Sequence, residues 1–287
     1  MKALVLGSTG MLGVQVATQL AASGIDVTGT SRRASMLPGT LSFDAERDSI
    51  RELLDASERF DYIVNAIGII KPYIKDGIAA DEERALRVNS LFPHELARTA
   101  ENLNAKVIQI ATDCVYSGVT GNYLESEKHD ALDVYGKTKS LGEVASPAMM
   151  HLRCSIIGRE VGRSTSLVEW VLGQEKNVKI SGYTNHRWNG VTTDVFGQLC
   201  AGIITESEFT PGMQHIVPAN VVSKFQLVSE IARVGDRTDI TVDPFEATDV
   251  IDRTLSTEQS ARNSTLWAAA GFPEAPTVEA IVASLAR

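Results

Sequence analysis

The chain has 287 residues, 36 acids against 27 bases, and a formal net charge of −9. That length suits one domain, or a domain with a small lobe, and the acidic balance argues against a nucleic-acid partner. No apolar stretch is long enough to span a bilayer, so no membrane segment is expected. The first apolar run starts at Lys2 and leaves no room for a signal peptide, and the three cysteines, Cys114, Cys154 and Cys200, are widely spaced and odd in number. Both features fit a reducing cytoplasm. No Cys/His cluster suggests a metal.

Lys2-Ala3-Leu4-Val5-Leu6 reads as a buried parallel strand that ends at Gly7. Gly7-Ser8-Thr9-Gly10-Met11-Leu12-Gly13 follows, and then Val14, Val16, Ala17 and Leu20 recur with helical spacing up to Ser23-Gly24. The glycines therefore occupy a strand-to-helix turn. Glycine lets the backbone turn tightly and approach a pyrophosphate, and the helix N-terminus offers free N–H groups and a positive dipole end. The spacing is G-x-x-G-x-x-G; the plain alternative is a glycine-rich turn with no ligand. The second strand, residues 25–30, leads into Ser31-Arg32-Arg33. No acid stands at that strand end to bind an adenosine ribose diol. A hydroxyl and two guanidiniums do, and they suit a 2′-phosphate, which favours NADP(H) over NAD(H). Arg32 is the better candidate because it is nearer the strand; otherwise both arginines belong to a solvated loop.

Strand and helix keep alternating. Leu41 to Asp44 is a short strand, Ile50 to Leu54 starts a helix, and Tyr62 to Ala66 is a strand followed by Ile67-Gly68. Asp81 to Asn102 is a long helix and Lys106 to Thr112 another strand. This order predicts an α/β fold with a doubly wound parallel sheet. Ligands of such sheets bind beyond the carboxyl ends of the strands. Gly7, Arg32, Asp44, Asn65 and Thr112 all fall at such ends and should line one crevice.

Tyr135-Gly136-Lys137-Thr138-Lys139 carries the chemistry. A tyrosine hydroxyl titrates near 10 and is a poor acid or base at neutral pH. A lysine four residues on shares its helix face, and its charge would lower the tyrosine pKa. Thr112 can add a hydrogen bond to the same substrate oxygen. Tyr/Lys pairs at this spacing are also common on solvated helices; the preceding nucleotide-binding half is what favours catalysis.

After residue 150 the alternation loosens. Met149 to Ile157 reads as a strand, Ser166 to Gly173 as a helix and Val178 to Ile180 as a strand, while Gly182 to Gly190 looks like a loop. Thr192 to Ile204 is a helix expected on the nucleotide-binding sheet. His215 to Pro218, the helix Ser223 to Arg233, Ile240 to Val242 and the helix Thr277 to Ala286 are assigned to a smaller lobe. The expected division is residues 1–154 plus about 190–206 for the dinucleotide, and about 155–189 plus 207–287 for the substrate. An anionic substrate in a net acidic protein would need local cations here, and Arg153, Arg159, Arg163, Lys179 and Arg187 are candidates. Trp188, beside Arg187 and Asn189, either offers a stacking face or covers the lobe's core.

The segments Gly7 to Gly13, Val64-Asn65-Ala66, Val88-Asn89-Ser90 with Pro93, and Ala111-Thr112-Asp113-Cys114-Val115-Tyr116-Ser117-Gly118 occur in one order. Tyr135 to Lys139 with Gly142-Glu143, and Leu152-Arg153 before Ile156-Ile157-Gly158, complete the series. In these the chain resembles the extended short-chain dehydrogenase/reductase superfamily, and within it the dTDP-4-dehydrorhamnose reductase group. The resemblance implies Tyr135, Lys139 and Thr112 as catalytic residues. It implies Gly7, Thr9, Gly10, Met11, Leu12 and Gly13 on the pyrophosphate, Ser31 and Arg32 at the ribose, Asp44 near the adenine and Ala66, Ile67 and Gly68 on the nicotinamide side. Asp113, Cys114, Arg153, Arg187, Trp188 and Asn189 would meet the substrate. Cys114 stands where an aromatic residue is frequent, and Ser117 where an Asp is common. The implied activity is NADPH-dependent reduction of a nucleotide-linked 4-keto-6-deoxy sugar. An epimerase of the same superfamily and a non-catalytic nucleotide-sensing subunit are the alternatives, and a homodimer is left open.

Overall fold

The computed structural model describes residues 1–32, 39–160 and 165–286; Arg33 and Arg163 lie outside these. In chain order the elements begin with β1 (Lys2–Leu6), α1 (Met11–Ala22), β2 (Asp26–Ser31), β3 (Thr40–Ser42), α2 (Ile50–Ala56) and β4 (Tyr62–Asn65). Next come α3 (Ala79–Ala85), a π turn (Leu86–Leu91), α4 (Phe92–Leu103), β5 (Lys106–Thr112), a 3-10 turn (Asp113–Val115), α5 (Val134–Leu141), β6 (Met149–Cys154), β7 (Ile156–Ile157) and α6 (Leu167–Leu172). Then follow β8 (Lys179–Tyr183), β9 (His186–Trp188), β10 (Val191–Thr192), α7 (Thr193–Thr205), β11 (Gly212–His215), β12 (Val222–Ser223) and α8 (Lys224–Val234). The chain closes with β13 (Thr241–Phe245), β14 (Ile251–Asp252), α9 (Ser260–Ala269) and α10 (Val278–Val282).

Seven strands form the central sheet in the order β11-β6-β5-β4-β1-β2-β3, and every pairing in it is parallel. Parallel strands are covered on both faces, which is why β1, β4 and β6 are buried along nearly their whole length. One apolar layer packs Val16 and Leu20 of α1 with Phe196, Leu199 and Ile203 of α7 and Trp267 of α9. The other packs Ile50 and Leu54 of α2 with Phe92, Leu96 and Ala100 of α4. The order in which strands are added reverses between β1 and β4, so a crevice opens where Gly7 and Ile67 meet; a Cβ on Gly7 would lie 3.0 Å from Ile67 Cγ1.

Several expectations need correction. The strand ending at His215 belongs to the central sheet, pairing with β6 from Gly212↔Met150 to His215↔Arg153, and not to the smaller lobe. The strand expected over 149–157 breaks at Ser155, after which β7 leaves the sheet to pair with β10. The helix expected over 81–102 runs from Ala79 to Leu103 but carries the π turn. The stretch 182–190 is not a loop: β8 pairs with β13, and β9 lies between β12 and β14. The lobe has its own core, in which Val168, Val171, Trp188, Leu227, Ile231, Val278 and Val282 meet. Among the described residues no helix is long and apolar enough to cross a membrane.

Candidate active site

The glycine turn caps β1. Gly7 has φ +78°, and a Cβ on Gly13 would stand 2.1 Å from the Gly7 carbonyl oxygen, so neither position tolerates a side chain. Helix α1 has no side-chain cap at Gly10. By contrast Ser49, Asp133, Ser166, Thr192, Ser223 and Thr277 each cap a helix with an oxygen. The first N–H groups of α1, on Met11, Leu12 and Gly13, are thus left for an outside acceptor. Thr9 and Gly10 are exposed above them. This cradle fits a pyrophosphate.

Around it, Ser31 is buried and Arg32 exposed at the end of β2. Asp44 is half-buried, and its Oδ1 accepts from the Glu46 N–H at 3.0 Å. Ala66, Ile67 and Gly68 follow β4, where Asn65 Oδ1 accepts from the Ile67 N–H at 3.0 Å. Asn89, in the π turn, holds the other end of this loop: its Oδ1 accepts from Ile69 N–H at 2.9 Å and its amide donates to Ile69 O and to Thr138 Oγ1. The π turn therefore ties the cofactor-side loop to α5.

Helix α5 begins at Asp133, whose carboxylate accepts from Gly136 N–H at 2.8 Å and pairs with Lys71 at 2.8 Å. It packs so closely that a Cβ on Gly142 would lie 2.0 Å from Asn89 O. Tyr135 and Lys139, four residues apart, share its inner face. The Tyr135 hydroxyl lies near enough to Thr112, the last residue of β5, for that side chain to act on its ionisation, and Lys139 Nζ donates to Ile110 O on the same strand at 3.0 Å. Burial brings Lys139 down to about 8, with Glu143 opposing it. Burial, then Cys114 and Asp113, push Tyr135 above its ordinary range, with Thr112 working the other way. The sequence expectation was a phenol lowered by Lys139; Lys139 is not among the groups that act on Tyr135 here.

Thr112 Oγ1 donates to Asp113 Oδ1 at 3.2 Å and accepts from Cys114 N–H at 3.1 Å. Burial raises the Asp113 carboxyl, while Arg253, Lys224 and Thr112 hold it down. Burial and Asp113 push the Cys114 thiol up to about 12, so it is no nucleophile at neutral pH.

The expected substrate cations divide. Arg153 is 1% exposed and committed elsewhere. Its guanidinium pairs with Glu143 and donates to Tyr116 Oη at 2.6 Å and to the Nε2 atoms of His215 and His129 at 2.8 Å. It holds α5 against β6 and is not a substrate contact. Trp188 is 3% exposed, in the lobe core, with Nε1 donating to Ser155 Oγ at 2.8 Å. Asn189 spends both ends of its amide on the Leu255 backbone. Arg159 is exposed and paired with Glu169, Lys179 is exposed at the start of β8, and Arg187 is exposed on β9. Two cations without a place in the expected substrate set, Lys224 and Arg253, act electrostatically on Asp113 without pairing with it. Nothing in their local sequence marks them: one follows a helix cap, the other a two-residue strand. No group of His, Cys, Asp or Glu suited to a metal occurs among the described residues.

Comparisons with known proteins bear on the fold and the family. The chain is 28% identical over 187 residues to the probable low-salt glycan biosynthesis reductase Agl14 of Haloferax volcanii, covering 60% of this chain and 59% of that protein. It is 30% identical over 146 residues to the dTDP-4-dehydrorhamnose reductase of Mycolicibacterium smegmatis, covering 50% and 40%. The chain thus spans less than two thirds of the length of these curated relatives. The crystal structure of the dTDP-4-dehydrorhamnose reductase of Bacillus anthracis, in complex with NADP, shares the fold at a TM-score of 0.78 and 16% identity, covering 99% of this chain and 98% of that one. The family model of the RmlD substrate binding domain matches residues 1–287, and the protein belongs to that family.

Proposed function

We propose that the protein is an NADPH-dependent reductase of a 4-keto sugar attached to a nucleotide diphosphate, in glycan precursor synthesis. The observation that carries this is the placement of Tyr135 and Thr112 together at the carboxyl end of β5, with Lys139 anchored on Ile110 O behind them. Tyr135 has the proton open to a carbonyl oxygen, and Thr112, whose proton rests on Asp113 Oδ1, can turn it to the same oxygen when a substrate competes for it. Tyr135 holds its proton, so it is ready to give it to that oxygen. Lys139, on the same helix face, would stabilise the phenolate left behind and would hold a nicotinamide ribose. A bound nicotinamide supplies the hydride. The open N–H groups of α1 would hold its pyrophosphate, and Arg32, exposed beside Ser31, suits a 2′-phosphate better than a bare diol. Reductases and an NADP complex among the relatives support the same reading. Arg187 is the candidate from β9 for the nucleotide side. Three free thiols and an NADPH requirement suit a cytoplasmic setting.

The test is a turnover screen of nucleotide-linked 4-keto-6-deoxy sugars with NADPH, followed by loss of its ultraviolet absorbance. Stoichiometric oxidation of NADPH supports the reductase. Sugar inversion without net oxidation identifies an epimerase. No turnover with any sugar, although NADPH binds, favours a sensing subunit.

A further inference from the structure

The lobe's small sheet places two bases beside the catalytic turn. In it Val222 stands opposite Trp188, and Asp252 opposite Arg187. Lys224 and Arg253 each lie just past the end of a strand, on either side of β9. The Lys224 ammonium sits 5.5 Å from the centre of the Trp188 ring. Arg253 is fixed by Nε donating to Tyr116 O at 2.8 Å, and its Cγ lies against Gly118.

Both side chains are half-buried, and among the described residues neither forms an ion pair. Lys224 makes no hydrogen bond among them either. The charge of Asp113 acts on both without pairing with either, and Arg253 is also felt by Asp130 and Asp133. Asp113 is occupied by Thr112, so among the described residues no carboxylate takes the Lys224 ammonium, in a protein that carries nine more acids than bases. A half-buried ammonium held on an indole without an acceptor calls for one from a ligand.

We propose that Lys224 is a specificity-determining residue for the substrate: with Arg253 beside it, its ammonium takes an anionic oxygen group that the substrate carries close to the reacting sugar. The proposal rests on the nucleotide-sugar reading above. Two parts of such a substrate share this chemistry, the phosphate next to the sugar and a carboxylate on the sugar itself. Trp188 acts as the shelf that keeps the lysine stem extended, and so it fixes where the charge stands.

Titration calorimetry with inorganic pyrophosphate, dTDP, UDP-glucuronate and NADPH separates the outcomes. The proteins are the wild type, Lys224→Met, which keeps an apolar stem on the indole, and Lys224→Arg, which keeps the charge. Lys224→Met should weaken one or more of the first three ligands by about tenfold or more, the scale of one charged hydrogen bond. Lys224→Arg should restore most of it, and NADPH should be unaffected. A loss shared by pyrophosphate and dTDP assigns the phosphate; a loss confined to UDP-glucuronate assigns the sugar carboxylate. Lys224-dependent binding of pyrophosphate, with no affinity for dTDP or UDP-glucuronate, supports the anion seat and overturns the nucleotide-sugar reading. Unchanged affinity for all three, no binding of any of them to the wild type, or an equal loss of NADPH binding overturns the role of Lys224.

Discussion

Tyr135 can give a proton to a carbonyl oxygen only while it holds one, and its buried position keeps it in that form. Tyr135→Phe removes the donor and keeps the ring. Its kcat should drop about 10²–10⁴-fold, the usual general-acid contribution, while NADPH titration stays unchanged because α1 and β2 are untouched; full turnover would rule out the mechanism. Arg32→Ala should cost about 1.5–3 kcal/mol of NADPH affinity, the contribution of one charged hydrogen bond, and leave NADH affinity alone. Equal kinetics of the unmutated protein with both cofactors would count against that assignment. Arg153→Met leaves Glu143 as a buried charge without its partner, which should cost about 3–5 kcal/mol of stability in urea unfolding. A shift below about 1 kcal/mol would mean that Glu143 simply takes up a proton. Thr112, Tyr135 and Lys139 are legible in the sequence because their chemistry depends on residue type and a helical spacing. The fate of Arg153, Trp188 and Asn189 is not, because an arginine that binds an anion and one that ties down a helix look alike until their partners are known.

The alternation of the first half is legible where strands are continuous apolar runs, as in β1 and β4, and where a glycine-led or capped helix stands, as at α1, α2 and α5. Strands β9, β12 and β14 are not: they have two or three residues each and mix polar with apolar side chains, so no period can be read from them. The π turn is equally silent, since its extra residue leaves the apolar pattern of the helix intact. Its consequence is concrete. Asn89 bridges Ile69 and Thr138 from it, and Asn89→Ala should leave the Ile69 backbone groups unpaired, at about 1–3 kcal/mol for each. Because that bridge joins the cofactor-side loop to α5, the variant should lose NADPH affinity as well as thermal stability. A stable variant with normal NADPH binding would show that the loop holds its shape without Asn89.

The Arg153 network joins distant parts of the molecule, because His215 ends β11 and its Nδ1 donates to Ser256 O at 2.7 Å. With Arg153 donating to both Nε2 atoms, His129 and His215 must remain neutral. Burial and then Arg153 bring His215 down to about 4 from an ordinary 6.5, against the pull of Glu125 and Glu143, and burial lowers His129 too. An imidazole depressed in the fold takes protons first in the unfolded chain, so its stabilisation is complete above about pH 6.5 and is lost as pH falls towards 4. His215 alone should contribute a loss of about 3 kcal/mol over that window. His215→Gln keeps an acceptor for Arg153 and should flatten the slope in urea midpoints measured across it; an unchanged slope would place the proton uptake elsewhere. The position of β11 has one more consequence, for synthesis. The edge strand of the sheet is the last to leave the ribosome, some sixty residues after the β6 it completes. Until then β6 presents an apolar, unpaired edge, the kind of surface that recruits other chains. A nascent chain stalled before residue 212 should therefore be held by chaperones or aggregate, and trimming the gene to its dinucleotide-binding half should yield insoluble protein.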